Sequence, residues 1–189
     1  MATRADGGVG HRGGGRGRVG AGGGKKWGLE GRELGSAVAA PAAADAGARG
    51  PMREELRAYR DDVLAHLGGA GNTFVDVRSP AEFSGEVLAP PHLPQEQAQV
   101  PGHIPGAANV PWASTARDDG SFKSDEELTA LYDGVGVTRG SHVIASCRIG
   151  ARPRHSCFVL HALLASPQVP NSHGPWPASR TLPASPLAH

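Results

Sequence analysis

The residues most able to do chemistry surround Cys147, one of only two cysteines in the chain. An apolar run at residues 143–146 leads directly into this cysteine, and the residues after it are Arg148, Ile149, Gly150, Ala151 and Arg152. So short a loop can fold into a cup whose backbone N–H groups point at the sulfur. Two arginines and a helix N-terminus near one thiol favour the thiolate and lower its pKa. The pattern predicts a nucleophilic cysteine that attacks a small anion with an electrophilic centre.

The second cysteine predicts packing, and the nearby histidines do not have the spacing of metal ligands. Cys157 lies in a helical pattern beside Phe158 and Val159, where a thiol behaves as a small apolar side chain. His155 and His161 are six positions apart, which does not place them on one helix face, and no carboxylate cluster accompanies them. We therefore predict no metal site.

The elements that must position Cys147 follow from the apolar spacing. A helix is predicted from Leu56 to Leu67, and a short strand at residues 73–77. Ser124 and Glu127 form a capping-box pattern that predicts the next helix start, and residues 143–146 are predicted as a buried strand. Pro153 suits the first turn of the helix that follows Cys147. This alternation predicts an α/β fold, a mainly parallel sheet with helices on both faces.

Composition divides the chain into three segments. Residues 1–50 hold 16 of the 28 glycines and a net charge of +4, so we expect a disordered segment rich in Gly, Arg and Ala. Its arginine-glycine stretch at residues 11–18 could contact RNA, but no aromatic residues are interleaved for base stacking, which favours a solvated tail. Residues 53–165 form the predicted compact domain. Residues 166–189 hold six of the 16 prolines and are predicted to be an irregular tail.

Membrane and export signals are lacking in the sequence. No apolar run approaches the ~20 residues that span a bilayer, and the N-terminal residues contain no apolar stretch typical of a secretory signal. Two cysteines are too few for a disulfide scaffold. We therefore expect a cytoplasmic protein with no membrane partner and no nucleic-acid partner.

Four motifs occur in a fixed order along the predicted domain. They are VDVRSPAEF at residues 75–83, GHIPGA with NVP at residues 102–111, DG with KS and EEL at residues 119–128, and CRIG at residues 147–150. Together they closely resemble the catalytic domain of rhodanese-type thiosulfate sulfurtransferases. Residues 24–34 also resemble the end of a preceding, noncatalytic rhodanese domain, and residues 171–176 resemble an altered form of the family's Asp-Gly-Ser-Trp turn.

The resemblance implies sulfur transfer through a persulfide on Cys147. Thiosulfate is the implied donor, cyanide or a thiol is the implied acceptor, and no cofactor is needed. By the same resemblance, the substrate-binding residues are Arg78, Arg148 and Arg152. Asp76, Glu82 and His103 are expected to support the surrounding loops.

Three alternatives stay open at this stage. Cysteine phosphatases of the cell-cycle type share this architecture, but their loop has one more residue between cysteine and arginine. Mercaptopyruvate sulfurtransferase usually has small neutral residues after the cysteine, so Arg148 favours thiosulfate. The third alternative is a catalytically impaired rhodanese module that carries sulfur or binds partners, because Ala151 and Pro153 stand where the family usually has Glu and Ser. Pro153 also removes a backbone N–H where the cup meets the helix.

Overall fold

The computed structural model of the chain describes residues 20–36, 54–67, 69, 71–92, 101–147, 152–166 and 169–172. Within these ranges five parallel strands form one sheet in the order β1-β5-β4-β2-β3. The strands are β1 (Arg57–Ala58), β2 (Asn72–Asp76), β3 (Ala108–Asn109), β4 (His142–Ser146) and β5 (Asn171–Ser172). The mainly parallel sheet predicted from the sequence is confirmed.

The two central strands are buried because helices cover both faces of the sheet. The last three residues of β2 and the last four of β4 are buried, as expected for parallel strands that are covered on both faces. The two strands pair in register along their whole length, with Val75 opposite Ala145 and Asp76 opposite Ser146. Strand β2 begins and ends one residue earlier than predicted, and β4 begins one residue earlier.

Neighbouring residues of the central strands enter two separate hydrophobic clusters, because side chains alternate across a strand. Phe74 and Ile144 pack on one face with Val63 of helix α2 (Arg60–His66). Val75 and Ala145 pack on the other face, against helix α4 (Asp125–Asp133) and helix α5 (Pro153–Phe158). The remaining helices are α1 (Gly23–Leu29) and α3 (Pro80–Ser84), and α5 continues into a π-helical turn at Val159–Leu163.

The capping-box prediction for α4 is confirmed in atomic detail. Ser124 Oγ accepts the N–H of Glu127 at 3.3 Å, and Glu127 Oε2 accepts the N–H of Ser124 at 2.7 Å. Pro153 is the first residue of α5, where its missing N–H costs no helical hydrogen bond.

The single helix predicted from Leu56 to Leu67 is wrong in its first half. A 3-10 turn (Glu54–Leu56) and strand β1 precede α2, which begins only after Tyr59. The reason is a long-range pairing: Arg57 and Ala58 pair with β5, and Ala58 is buried in the core. The backbone N–H of Tyr59 donates to Asp62 at 2.8 Å and starts the helix there.

Both flanking segments contain one element that composition did not indicate. Helix α1 lies within the segment for which disorder is expected, and its Lys26 forms an ion pair with Asp119 at 3.3 Å. Residues 1–19 and 37–50 lie outside the described residues, as do residues 173–189 of the proline-rich tail. Strand β5 lies within that tail and corrects the expectation of no regular structure there, because Asn171 and Ser172 complete the sheet between β1 and β4.

Candidate functional site

Cys147 is the first residue beyond β4, at the carboxyl edge of a central strand. Loops at this edge are where ligands bind in open parallel sheets. The cysteine is 3% exposed and belongs to the hydrophobic cluster that α4 and α5 cover. Residues 148–151 lie outside the described residues, so the cup formed by Arg148, Ile149, Gly150 and Ala151 stays a prediction. The described side of the site consists of Cys147, the start of α5 and the turns after β2.

Arg152 lies immediately before α5 and is held by Glu82 of α3. Arg152 Nη1 donates to Glu82 Oε2, and Nη2 donates to Oε1, both at 2.9 Å. This fork-to-fork arrangement fixes the plane of the guanidinium as well as its distance. The structure therefore brings together two predicted site residues that lie 70 positions apart.

Glu82 is ionised although its side chain is 1% exposed. Burial alone would raise its pKa, but the hydrogen bonds and charge of Arg152, together with hydrogen bonds from Ser79, hold that pKa at about 2. Because the carboxylate stays charged, Arg152 keeps its partner at any pH at which the domain is expected to work. The ion pair thereby connects the start of α5 to α3, the helix that follows β2.

Asp76 and Arg78 form a second buried pair at the end of β2. Arg78 Nη2 donates to Asp76 Oδ2 at 2.6 Å and to the carbonyl oxygen of Gly102 at 2.8 Å, while Nε lies 3.0 Å from both Asp76 oxygens. Arg78 is 4% exposed. A substrate contact by the Arg78 side chain would have to use Nη1, so the substrate-binding role of Arg78 stays a prediction. Its hydrogen bond to the carbonyl of Gly102 supports the loop that contains that glycine.

His103 packs where its predicted supporting role would place it. Its ring stacks on Phe83 of α3 with centroids 3.6 Å apart, and Nδ1 lies 2.9 Å from the carbonyl oxygen of Phe83. Since a carbonyl can only accept, Nδ1 carries the hydrogen. His103 thus joins the loop at residues 101–107 to the helix that carries Glu82.

Two features of the site were not found by sequence reasoning. Ser79 donates its hydroxyl to Glu82 Oε2 at 2.9 Å, and the Ser-x-x-Glu spacing of residues 79 and 82 is the signal that could have revealed it. His155 Nε2 lies 2.8 Å from Thr115 Oγ1, and Thr115 gives its own hydrogen to the carbonyl of Trp112 at 2.7 Å. Nε2 of His155 is therefore the donor. No sequence signal links these residues, which lie 40 positions apart.

His155 and Cys157 are both partly buried, and the environment of Cys157 agrees with the packing role expected for it. Burial lowers the pKa of His155 to about 4, so its ring is neutral near pH 7. Burial raises the pKa of the Cys157 thiol to about 12, which leaves little of the reactive thiolate near neutral pH. Among the described residues, no group of three His, Cys, Asp or Glu side chains could hold a metal ion. No helix in the same part of the chain is long and apolar enough to cross a membrane.

A parallel α/β sheet with a cysteine at the end of its central strand, and an arginine clamped at the following helix, defines a rhodanese-like class of domain. The sequence pattern of the rhodanese-like domain family matches residues 59–177, and the chain belongs to this family. It is 49% identical over 167 residues to a protein of Mycobacterium bovis that is provisionally named thiosulfate sulfurtransferase 1, covering 88% of this chain and 59% of that protein.

Two further similarities support conclusions of different kinds. The sulfur carrier protein TtuD of Thermus thermophilus is 46% identical over 172 residues, covering 88% of this chain and 59% of that protein. A solved structure of an EanB variant with ergothioneine superposes with a TM-score of 0.84 at 24% identity, covering 98% of this chain and 44% of that one. The second similarity supports the fold alone. The chain spans about 59% of the length of the curated relatives named here.

Proposed function

We propose that the domain is a sulfurtransferase that moves the sulfane sulfur of thiosulfate to a thiol or to cyanide through a persulfide on Cys147. The observation that carries the proposal is the position of Cys147 directly after β4, with Arg152 held at the start of the next helix by Glu82. Membership of the rhodanese-like family and the names of two relatives support the same chemistry.

The proposed reaction has two half-reactions that balance without an added oxidant. The Cys147 thiolate attacks the outer sulfur of thiosulfate, the S–S bond to the inner sulfur breaks, and sulfite leaves with the bonding electron pair. The outer sulfur remains as a persulfide. An acceptor thiolate or cyanide then attacks that sulfur and returns the Cys147 thiolate, so ping-pong kinetics are expected.

The proposed roles of the other residues follow from their charges and contacts. Arg148 and Arg152 would bind the thiosulfate dianion, because charge-assisted hydrogen bonds are about twice as strong as neutral ones. Arg78 would add a further donor through Nη1. The backbone of Ile149, Gly150 and Ala151 would line the persulfide, while Asp76, Glu82 and His103 support the loops through the contacts described above.

The burial of Cys147 suits a small donor. A side chain that is 3% exposed leaves little room for bulk water, which would otherwise compete for the persulfide or solvate the attacking thiolate. Thiosulfate and cyanide are both small molecules of the kind that such a site favours.

A sulfur carrier is the second candidate, and the similarity to TtuD favours it. Such a carrier would form the same persulfide on Cys147 but would release the sulfur only to the thiol of a specific partner. Pro153 bears on this choice because it removes one N–H at the start of α5. One lost donor to a developing anion costs about 3 kcal/mol in comparable sites, which could slow turnover a hundredfold.

The test uses the full chain and the variants Cys147→Ser and Cys157→Ser. After treatment with thiosulfate, peptide mass spectrometry should find one added sulfur atom on Cys147 in the wild type and in Cys157→Ser. Cyanide should then release thiocyanate, and Cys147→Ser should do neither. A persulfide without thiocyanate release would favour the carrier. A folded wild-type protein that takes no sulfur from thiosulfate would overturn the proposed function.

A further inference from the structure

The described part of the chain contains two Ser-x-x-Glu capping boxes that each hold an arginine. In the first, Ser79 and Glu82 cap α3, and Glu82 binds Arg152. In the second, Ser124 and Glu127 cap α4, and Glu127 binds Arg117 at 2.7 Å. The two boxes have the same residue types and similar hydrogen bonds, so they differ mainly in how deeply they are buried.

The first box is buried and the second is exposed. The Glu82 side chain is 1% exposed and Arg152 is 17% exposed, whereas Glu127 and Arg117 are 48% and 51% exposed. An exposed pair of this kind contributes little, because water solvates both partners and the side chains move. A buried carboxylate needs its hydrogen-bond donors in fixed positions, since nothing replaces a donor that is lost.

Ser79 supplies donors to the same oxygen that binds Arg152. Glu82 Oε2 accepts the Ser79 hydroxyl at 2.9 Å, the Ser79 N–H at 3.2 Å and Arg152 Nη1 at 2.9 Å. In return, Ser79 Oγ lies 3.3 Å from the backbone N of Glu82. This reciprocal contact fixes the rotation of the carboxylate about its side chain, and the bidentate pair transmits that orientation to the guanidinium of Arg152.

We infer that Ser79 is a positioning residue for anion recognition at Cys147: its hydroxyl orients Glu82, and Glu82 orients Arg152. The inference rests on the proposed function, because it takes Arg152 to face the anion that reacts at the cysteine. Ser79 touches no substrate in this scheme. Ser79 lies at the turn after β2, so a change in this turn should alter the position of Arg152 at the start of α5.

The test measures how strongly the site prefers an anion. Alkylation of Cys147 by iodoacetate, an anion, is compared with alkylation by neutral iodoacetamide in the full chain, with each cysteine followed by peptide mass spectrometry. The rate with iodoacetate divided by the rate with iodoacetamide increases with the positive electrostatic potential at the sulfur. Loss of one hydrogen bond to a charged group should lower this ratio about five-fold in Ser79→Ala, with a similar rise in KM for thiosulfate.

Three variants separate positioning from helix capping. Ser79→Thr keeps the hydroxyl and should keep the ratio. Ser79→Gly keeps a residue that helices accept at the N-cap and adds no charge, but it has no side-chain donor to Glu82, so its ratio should fall as in Ser79→Ala. Ser124→Ala removes the corresponding cap in the exposed box and should leave the ratio unchanged. The partly buried Cys157 is an internal check, because its raised thiol pKa should keep its alkylation slow unless a variant unfolds.

An unchanged ratio in Ser79→Ala or in Ser79→Gly would overturn the inference, as would an equal fall in Ser124→Ala. If Ser79→Ala unfolds, the Ser79→Gly result decides. Failure of the proposed function looks different: the wild type would then take no sulfur from thiosulfate, while the dependence of the alkylation ratio on Ser79 could still be measured.

Discussion

Replacing Glu82 by Gln should destabilise the domain through the loss of one buried charge. The amide keeps the shape of the carboxylate, but its NH2 group would face a donor of Arg152 or of Ser79 in place of an acceptor oxygen. The partly buried guanidinium of Arg152 would then lack its compensating charge, and an unpaired charge of this kind is costly in a protein interior. The variant therefore tests whether the charge of the Glu82 side chain stabilises the fold or whether its packing alone does.

The magnitude follows from the pKa of Glu82, which lies at about 2 against an ordinary 4.5. A shift of roughly 2.5 pH units corresponds to about 3 kcal/mol of favourable interaction with the ionised form. Solvent reaches the partly exposed Arg152 side chain and screens part of this interaction, so we expect about 2 kcal/mol. In a domain of this size that loss would lower the Tm by about 8 °C.

The sign of the pH dependence is fixed by the depressed pKa. The stabilisation from Glu82 is fully present above its unfolded pKa of about 4.5 and is lost as the pH falls toward about 2. Urea unfolding of wild type and Glu82→Gln, followed by tryptophan fluorescence, should show the full difference at about pH 7 and a smaller one at about pH 3. Glu127→Gln is the matched control, because it alters the exposed box and should cost much less.

Equal stability of wild type and Glu82→Gln at neutral pH would refute this reasoning. So would a difference that stays constant while the pH falls through the expected range, since a packing effect alone does not titrate. A loss in Glu127→Gln as large as that in Glu82→Gln would show that capping, rather than the buried pair, is responsible.

Further outcomes are expected at three other positions. Gly85→Ala should lower the Tm more than Gly106→Ala, because both have positive φ but an added Cβ at Gly85 would lie 2.9 Å from Gly102 N, whereas Gly106 has open space. The urea-unfolding free energy of the wild type should fall as the pH drops from 6.5 toward about 4, the range over which His155 gains a proton only when unfolded, and His155→Gln should lack that part of the slope. Cys157 should resist iodoacetamide at mildly alkaline pH and react on addition of urea; rapid alkylation of Cys157 in the folded protein, measured by peptide mass spectrometry, would contradict the raised pKa of its thiol.

Local sequence patterns predicted those elements whose positions depend on residues close together in the chain. The Ser124 capping box fixes the start of α4 because both partners lie within one turn. The apolar run before Cys147 predicts β4 because a strand buried on both faces leaves little place for polar residues. The position of Cys147 at a strand end followed from this run alone, and the family followed from the four ordered motifs.

Features that depend on distant partners could not be predicted in the same way. Leu56 and Tyr59 have helical spacing with Val63, yet β1 lies between them because its pairing with β5 outweighs a weak local preference. The partnership of Glu82 with Arg152 joins residues on different loops. Arg78 was expected to face the substrate, and only the coordinates show that two of its nitrogens are bound by Asp76 and Gly102.

The place of β5 in the sheet has a consequence for how the chain folds during synthesis. In the described part of the chain, β1 joins the sheet through residues 171 and 172, although β1 itself lies near residue 57. The neighbours β2, β3 and β4 are made earlier and can associate as soon as β4 leaves the ribosome. Of the described strands, β1 is thus made first and incorporated last, and closing so long a loop should set the rate of the final folding step.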